Sequence, residues 1–190
     1  PSASVTVDKL ADRAVQVLGE GEDAAAVAAT VGSTGFVDGR GAYSPQQGIV
    51  SDLPFELVRQ DGEWRISRAQ DGIVLSEEQF RTVYRQATLA YFDPTWQYIV
   101  PDVRWFPRTN PANYVAPALL DEPPSPWLAD AVRSAFPEGV YADQSAISDG
   151  VTQVAVAEAA LGLGTETLGR MQRQLDETFR SIDQPAVRMT

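Results

Sequence analysis

The chain holds 190 residues, 44% of them hydrophobic, with a net charge of −11 and neither cysteine nor histidine. That composition is globular and not disordered, and its acidity argues against nucleic acid and anionic membrane surfaces, which need a basic face. Without cysteine there is no disulfide, thiol nucleophile or cysteine metal site; without histidine, the usual general base near neutral pH and the commonest metal ligand are missing.

The length suits one large domain or two small ones. No apolar run approaches the ~18 residues of a membrane span. The chain starts at Pro1 without methionine, signal peptide or lipid-attachment cysteine, as an excised piece of something longer would, so a targeting signal belongs upstream if there is one.

The first third reads as strands. Residues 4–10 and 13–20 alternate, and 24–43 carries enough glycine for two strands joined by turns, with Asp38–Gly41 marking one. Residues 53–68 form the clearest hairpin, with Phe55, Leu57, Trp64 and Ile66 on one face around the Asp61–Gly62 turn. That face needs a cover, and no helix of suitable length precedes residue 76. A helix over 77–86 then opens on a capping box of Ser76 and Gln79, and is expected to mark the domain boundary.

Beyond it come a strand at 88–92, a turn at 93–96 and an extended stretch from Tyr98. Asn110–Pro111 caps a helix ending near Leu120 that Pro117 kinks or shortens. Ser125–Pro126 caps another over 126–136 that buries Leu128, Val132 and Phe136. Residues 139–158 make a hairpin around Asp149–Gly150. The strongest helix is 165–182, with the stripe Leu168, Met171, Leu175, Phe179 and Ile182. Pro185 stops it, and "AVRMT" reads as the start of a final strand. The fold class is therefore α+β, an antiparallel sheet segment followed by helices on one face of a mixed sheet.

The densest constellation is "YIVPDVRWFP" over 98–107, which with the preceding turn gathers Trp96, Tyr98, Asp102, Arg104, Trp105 and Phe106. Asp102 and Arg104 lie two apart, so on a strand they share a face and pair. A catalytic role would need a second acid or a base nearby, and none is in sight, so the favoured reading is a rigid corner. Its aromatics either pack or form a docking patch around one turn. Trp127 goes to core packing or to holding the proline-rich linker before it. The glycines of "LGLGTETLG" (161–169) miss phosphate-loop spacing; a loop ending at a Thr165 or Thr167 cap is favoured. Acids at 19–23 and 121–122 lack calcium-site spacing and read as solvated loops. No catalytic, cofactor-binding or metal-ligating residue is assigned.

Four ordered stretches, 61–80, 89–94, 98–107 and 118–140, resemble the LpqB family of actinobacterial lipoproteins. The resemblance implies that 1–76 is the C-terminal part of the family's N-terminal domain, with a nuclear-transport-factor-like sheet whose helices precede Pro1. It implies a linking helix over 77–86 and a GerMN domain over 87–190 with its last strand truncated and a propeller absent downstream. Pro117 and the "DEPPSP" linker depart from the family's pattern. It further implies a non-catalytic, cofactor-free protein on the outer face of the membrane, held by a lipid anchor upstream. The partner implied is the extracytoplasmic domain of a two-component sensor histidine kinase. Two other roles stay open: a self-associating envelope scaffold, and capture of a small ligand or wall fragment by a pocket around Phe55, Leu57 or Trp64.

Overall fold

The structure, a computed structural model, describes residues 4–9, 14–138, 142–148, 151–156, 162–184 and 187–190. The chain divides into two compact units, Pro1–Thr82 and Val83–Thr190. Among the described residues no helix is long and apolar enough to cross a membrane. The class is α+β, with antiparallel and mixed sheets and a few helices.

In the first unit, strands β1 (Val5–Asp8), β2 (Ala14–Glu20), β3 (Ala24–Val37), β4 (Tyr43–Gln60), β5 (Glu63–Ala69) and β6 (Ile73–Ser76) form one sheet. Its order is β5-β4-β3-β1-β6, with β2 also on β3 and β6 parallel to β1. The glycine-rich segment is one 14-residue strand and not two, and the turn falls at Asp38–Gly41. Gly35 lets it continue: a Cβ there would sit 2.5 Å from the Tyr43 ring on the neighbouring strand. Strand β4 runs 18 residues through Pro45 and Pro54, because that half of it pairs with β3 alone and its other edge requires no amide.

The β4–β5 hairpin closes at Asp61–Gly62, both with positive φ (55° and 82°), as a two-residue turn of matching twist requires. Its expected buried face is only half realised. Phe55 and Leu57 are half-buried, but every residue of β5 is exposed, Ile66 by 62%. The core lies instead around Val5, Val7, Val31 and Val37 on the central strands. Helix α1 (Glu77–Val83) begins at a reciprocal capping box, Gln79 N to Ser76 Oγ at 3.1 Å and Ser76 N to Gln79 Oε1 at 3.0 Å. It ends three residues earlier than expected, because Tyr84 already pairs with Pro107 in the next hairpin.

In the second unit, β7 (Tyr84–Phe92) pairs antiparallel with β8 (Ile99–Pro107), and β9 (Ala142–Ser148), β10 (Val151–Val156) and β11 (Val187–Met189) form a separate three-stranded sheet. Two small sheets thus replace the single mixed sheet expected. The Asp149–Gly150 turn lies outside the described residues. Helix α2 (Ala112–Leu120) packs on β7 and β9, and helix α3 (Thr165–Arg180) on β7 and β11. Leu89, Val115, Val154, Met171, Leu175 and Phe179 form the middle of the shared core.

The outer edge of β7 would expose amides, and α3 meets them with hydroxyls. Thr178 Oγ1 accepts from Ala90 N and Ser181 Oγ accepts from Thr88 N, each at 2.9 Å. Further along, Phe92 exchanges both backbone bonds with Arg133. That bridge explains why 126–136 is no helix: the segment makes successive turns over 126–131, then lies extended against the strand edge. Leu128 and Phe136 are buried and Val132 half-buried all the same.

Two caps also differ from expectation. Asn110 takes a left-handed φ of 49° and offers its carbonyl to Asn113 N, leaving Pro111 as N-cap, and α2 runs three residues past Pro117. Gly164, and neither threonine, caps α3.

Candidate functional site

Alternation along β8 decides where the corner's side chains go. Asp102, Arg104 and Phe106 face inward, whereas Val103 and Trp105 face the other way, with Val103 exposed. Asp102 and Arg104 are 0% and 1% exposed, an ion pair taken out of water. Arg104 Nη2 and Nε reach Asp102 Oδ2 at 3.0 and 3.2 Å. Nη1 extends to Glu122 Oε2 at 3.1 Å, and Nη2 also donates to the Pro123 carbonyl at 2.7 Å. Ser125 completes the site, its amide donating to Asp102 Oδ2 at 2.9 Å and its hydroxyl to Oδ1 at 2.6 Å.

A buried pair tolerates desolvation only when its remaining lone pairs and protons are met, and here both carboxylate oxygens are. The network ties the proline-rich segment 121–126 to β8. Two earlier readings are corrected by it. Glu122 is an ion-pair partner and no solvated loop acid, and Ser125 spends its hydroxyl on Asp102 instead of capping a helix. Neither was legible in sequence, because both partners lie about twenty positions away from the pair they serve.

The four aromatics do not surround one turn. Trp96 and Tyr98 sit at the β7–β8 corner, but Trp105 and Phe106 pair with Gln86 and Arg85 at the far end of the hairpin. Trp105 lies seven positions along the chain from Tyr98, roughly 23 Å when extended. Trp96 is half-buried, 5.4 Å from the Phe92 ring and with the Arg170 guanidinium 4.6 Å above it. Tyr98 is 70% exposed. Trp127, expected either in the core or holding the proline-rich linker before it, is 74% exposed, which rules out the core: Leu128 turns inward beside it, and no helix forms to carry the indole to the interior.

The corner itself is built on Asp93. Its carboxylate accepts from the amides of Thr95, Gln97 and Tyr98 at 3.0, 2.8 and 2.8 Å, and from the Thr95 hydroxyl. Those bonds, the Thr95 hydroxyl foremost, bring the Asp93 pKa down to about 2. Within this turn Trp96 has a φ of 64°, a left-handed conformation that is rare for so bulky a residue. Near the buried pair, burial pushes the Tyr91 hydroxyl up to about 12, with Arg104 opposing and Asp102 and Glu122 adding. Both shifts move their groups away from neutral pH. Among the described residues no group of acids is placed to hold a metal ion.

The first unit carries a cavity of about 380 Å³ lined by Phe36, Leu53, Phe55 and Ile73 among others. Leu57 and Trp64, expected with Phe55, are not among its described lining residues.

The family model for the N-terminal domain of lipoprotein LpqB matches residues 1–81. The chain is 34% identical over 149 residues to lipoprotein LpqB of Thermobifida fusca, covering 75% of this chain and 24% of that protein. It is 29% identical to the Bifidobacterium longum lipoprotein LpqB, covering 74% of this chain and 24% of the relative. The Mycolicibacterium smegmatis relative is 32% identical, over 66% of this chain and 22% of its own length. The chain thus spans about a quarter of the length of the curated relatives it matches. No solved structure matches it. With the N-terminal domain matched at its start and these relatives aligned well into its second unit, the chain belongs to the LpqB family of lipoproteins.

Proposed function

We propose that this chain is a non-catalytic, extracytoplasmic part of a membrane-anchored lipoprotein that binds the sensor domain of a two-component histidine kinase. In this reading the first unit is the latter part of a nuclear-transport-factor-like domain, and the second is a GerMN domain. The names of the relatives support the envelope location. The spent polar groups support the absence of chemistry: the buried acid and base are committed to each other and to the 121–126 segment, and the shifts of Tyr84, Tyr91 and Asp93 all lead away from neutrality.

The observation that carries the reading is Trp127, an indole 74% exposed next to a segment that the buried network holds fixed. A large apolar side chain on rigid backbone loses little entropy on docking and is a frequent hot spot. Binding one kinase state better than another shifts the kinase's equilibrium by the difference in affinity, with no reaction required.

The test titrates the soluble sensor domain against the whole chain by biolayer interferometry. Saturable binding is expected, weakened about thirtyfold by Trp127→Ala, corresponding to ~2 kcal/mol for a hot spot. No binding at several hundred micromolar, as an order of magnitude for even a weak encounter, sinks the proposal.

A second reading, capture of a small apolar ligand or wall fragment, is favoured by the cavity beside Phe55 in the first unit. Displacement of a hydrophobic dye, abolished by Phe55→Asp in a folded chain, would support it; dye binding unaffected by that change would not.

A further inference from the structure

A free sheet edge leaves a row of backbone amides and carbonyls unpaired, and folded chains usually make such edges unfit for pairing. Among the described residues the first unit has free edges on β2, β4, β5 and β6, and three of these are protected. Residues 43–54 of β4 pair on one side only and carry Pro45 and Pro54. Strand β5 carries Glu63, Arg65 and Arg68, and a bulge between Ile66 and Arg68 interrupts its ladder. Strand β6 is only four residues long.

Strand β2 is the exception. From Ala14 to Gly19 it holds neither proline nor charge, and Glu20 comes only at its end. It pairs with β3 alone, and its outer edge has no backbone partner among the described residues. All of it is exposed, Val15 by 71% and Val17 by 64%. Its one bulge falls at Leu18 and leaves Ala14 to Val17 regular.

The order of residues in β2 says what pairs there, because the strand is its own complement. Laid antiparallel against itself about Gln16, it sets Val15 opposite the second copy's Val17 and Val17 opposite the second copy's Val15. β-branched side chains suit a pleated surface best, and two such pairs form at once. On the opposite face the two Gln16 amides meet, each both donor and acceptor. Centred on Val15 instead, the strand would set polar Gln16 against Ala14. Charge points the same way. Each copy carries a net −11, so two copies approach most readily along a stretch that has no charge.

We propose that β2 joins the β2 of a second copy, antiparallel about Gln16, so that one sheet runs across a two-fold dimer. The prolines of β4, the charges of β5 and the shortness of β6 keep β2 from any other edge of that copy. The contact therefore closes on itself and does not propagate. Five paired residues a side span roughly 17 Å. The surface buried is on the order of 800 Å² in total, at the low end for specific complexes, so the dimer is a weak one. It uses no residue of the second unit and stands independently of kinase binding.

Sedimentation velocity of the whole chain, from about 5 µM to about 1 mM, tests the pairing. Expected is a monomer–dimer equilibrium with a Kd on the order of 100 µM and no larger species. Because both copies are acidic, added salt should tighten it. Val15→Glu and Val17→Lys should each weaken it about tenfold, since the two-fold spoils two cross-strand pairs per dimer. Both positions are exposed, so the melting temperature of either variant should stay close to that of the unmodified chain. Combined in one chain, the two changes keep the net charge and set opposite charges across both pairs. Association should then return to within about threefold of the original. Ile66→Lys, at an exposed apolar position three strands from β2, should leave the dimer intact.

A chain that stays monomeric throughout that range overturns the proposal. So do species larger than a dimer, which would mean an open-ended contact. Loss of the dimer with Ile66→Lys places the contact on the sheet face, and a double variant no better than the single ones excludes the Gln16 register. Either result overturns the pairing as well.

Discussion

The Ser125 hydroxyl donates to Asp102 Oδ1 at 2.6 Å across 23 positions of chain, which makes a serine in a proline-rich segment the last partner of a buried carboxylate. Through that bond, and through Arg104 to the Pro123 carbonyl, a polar interior fixes the backbone that leads into exposed Trp127. The network's worth is therefore positional. As a contribution to stability, a buried ion pair rarely exceeds the packed hydrophobic residues that could replace it.

Asp102→Ala leaves Arg104 buried with its charge uncompensated by that partner, and the expected loss is about 3–5 kcal/mol. Replacing both, Asp102→Leu with Arg104→Met, should recover most of it. Thermal unfolding of the three proteins, followed by tryptophan fluorescence, checks the order. A double variant no more stable than the single one contradicts this account of the pair.

Ser125→Ala removes a hydrogen bond to an ionised acceptor, at a cost of about 1.5–3 kcal/mol. The local consequence is more diagnostic. Amide exchange over 121–126 should accelerate while that of β8 is preserved. Unchanged exchange in this segment would mean that Arg104 and the prolines hold it without the serine.

Asp93 predicts a pH dependence. Its folded-state pKa of about 2 lies below the usual 3.8, so folding favours the ionised form. The stabilisation is thus complete above the ordinary carboxylate pKa and disappears as pH falls from about 4 through about 2. The Tyr98 amide, which donates to this carboxylate, should titrate with a midpoint near 2 in an NMR series. A midpoint near the ordinary value would show that the turn does not hold the charge.

Thr178→Val keeps the shape of the side chain but deprives the Ala90 amide of its acceptor in the core. The expected loss is about 1–3 kcal/mol, for an amide left unpaired away from water. Denaturant unfolding measures it, and the Ala90 amide should exchange faster than its neighbours. A neutral outcome would mean that another group takes over as acceptor.

Much of the scaffold was legible without coordinates. Periodicity placed the α3 stripe, whose Met171, Leu175 and Phe179 are all fully buried. The reciprocal Ser76–Gln79 cap and the Asp61–Gly62 hairpin were readable because each is a contract between residues two or three apart. The errors share one physical source. Residues 126–136 have helical spacing, yet the edge of β7 offered Arg133 a backbone partner and Asp102 claimed the Ser125 hydroxyl, and spacing alone cannot report such competition. The exposed β5 has the same origin: alternation identifies a face that is able to be buried and says nothing of what lies against it.

Local order in the chain thus determined the strands, the hairpin turns, the long helix, the pairing face shared by Asp102 and Arg104, and the family resemblance. Only tertiary structure decided that Glu122 and Ser125 complete that pair and that Trp127 faces solvent. The physical reason is range. Backbone periodicity and capping are settled within a turn or two of chain, whereas desolvation and charge pairing depend on groups that folding brings together from twenty or more positions away.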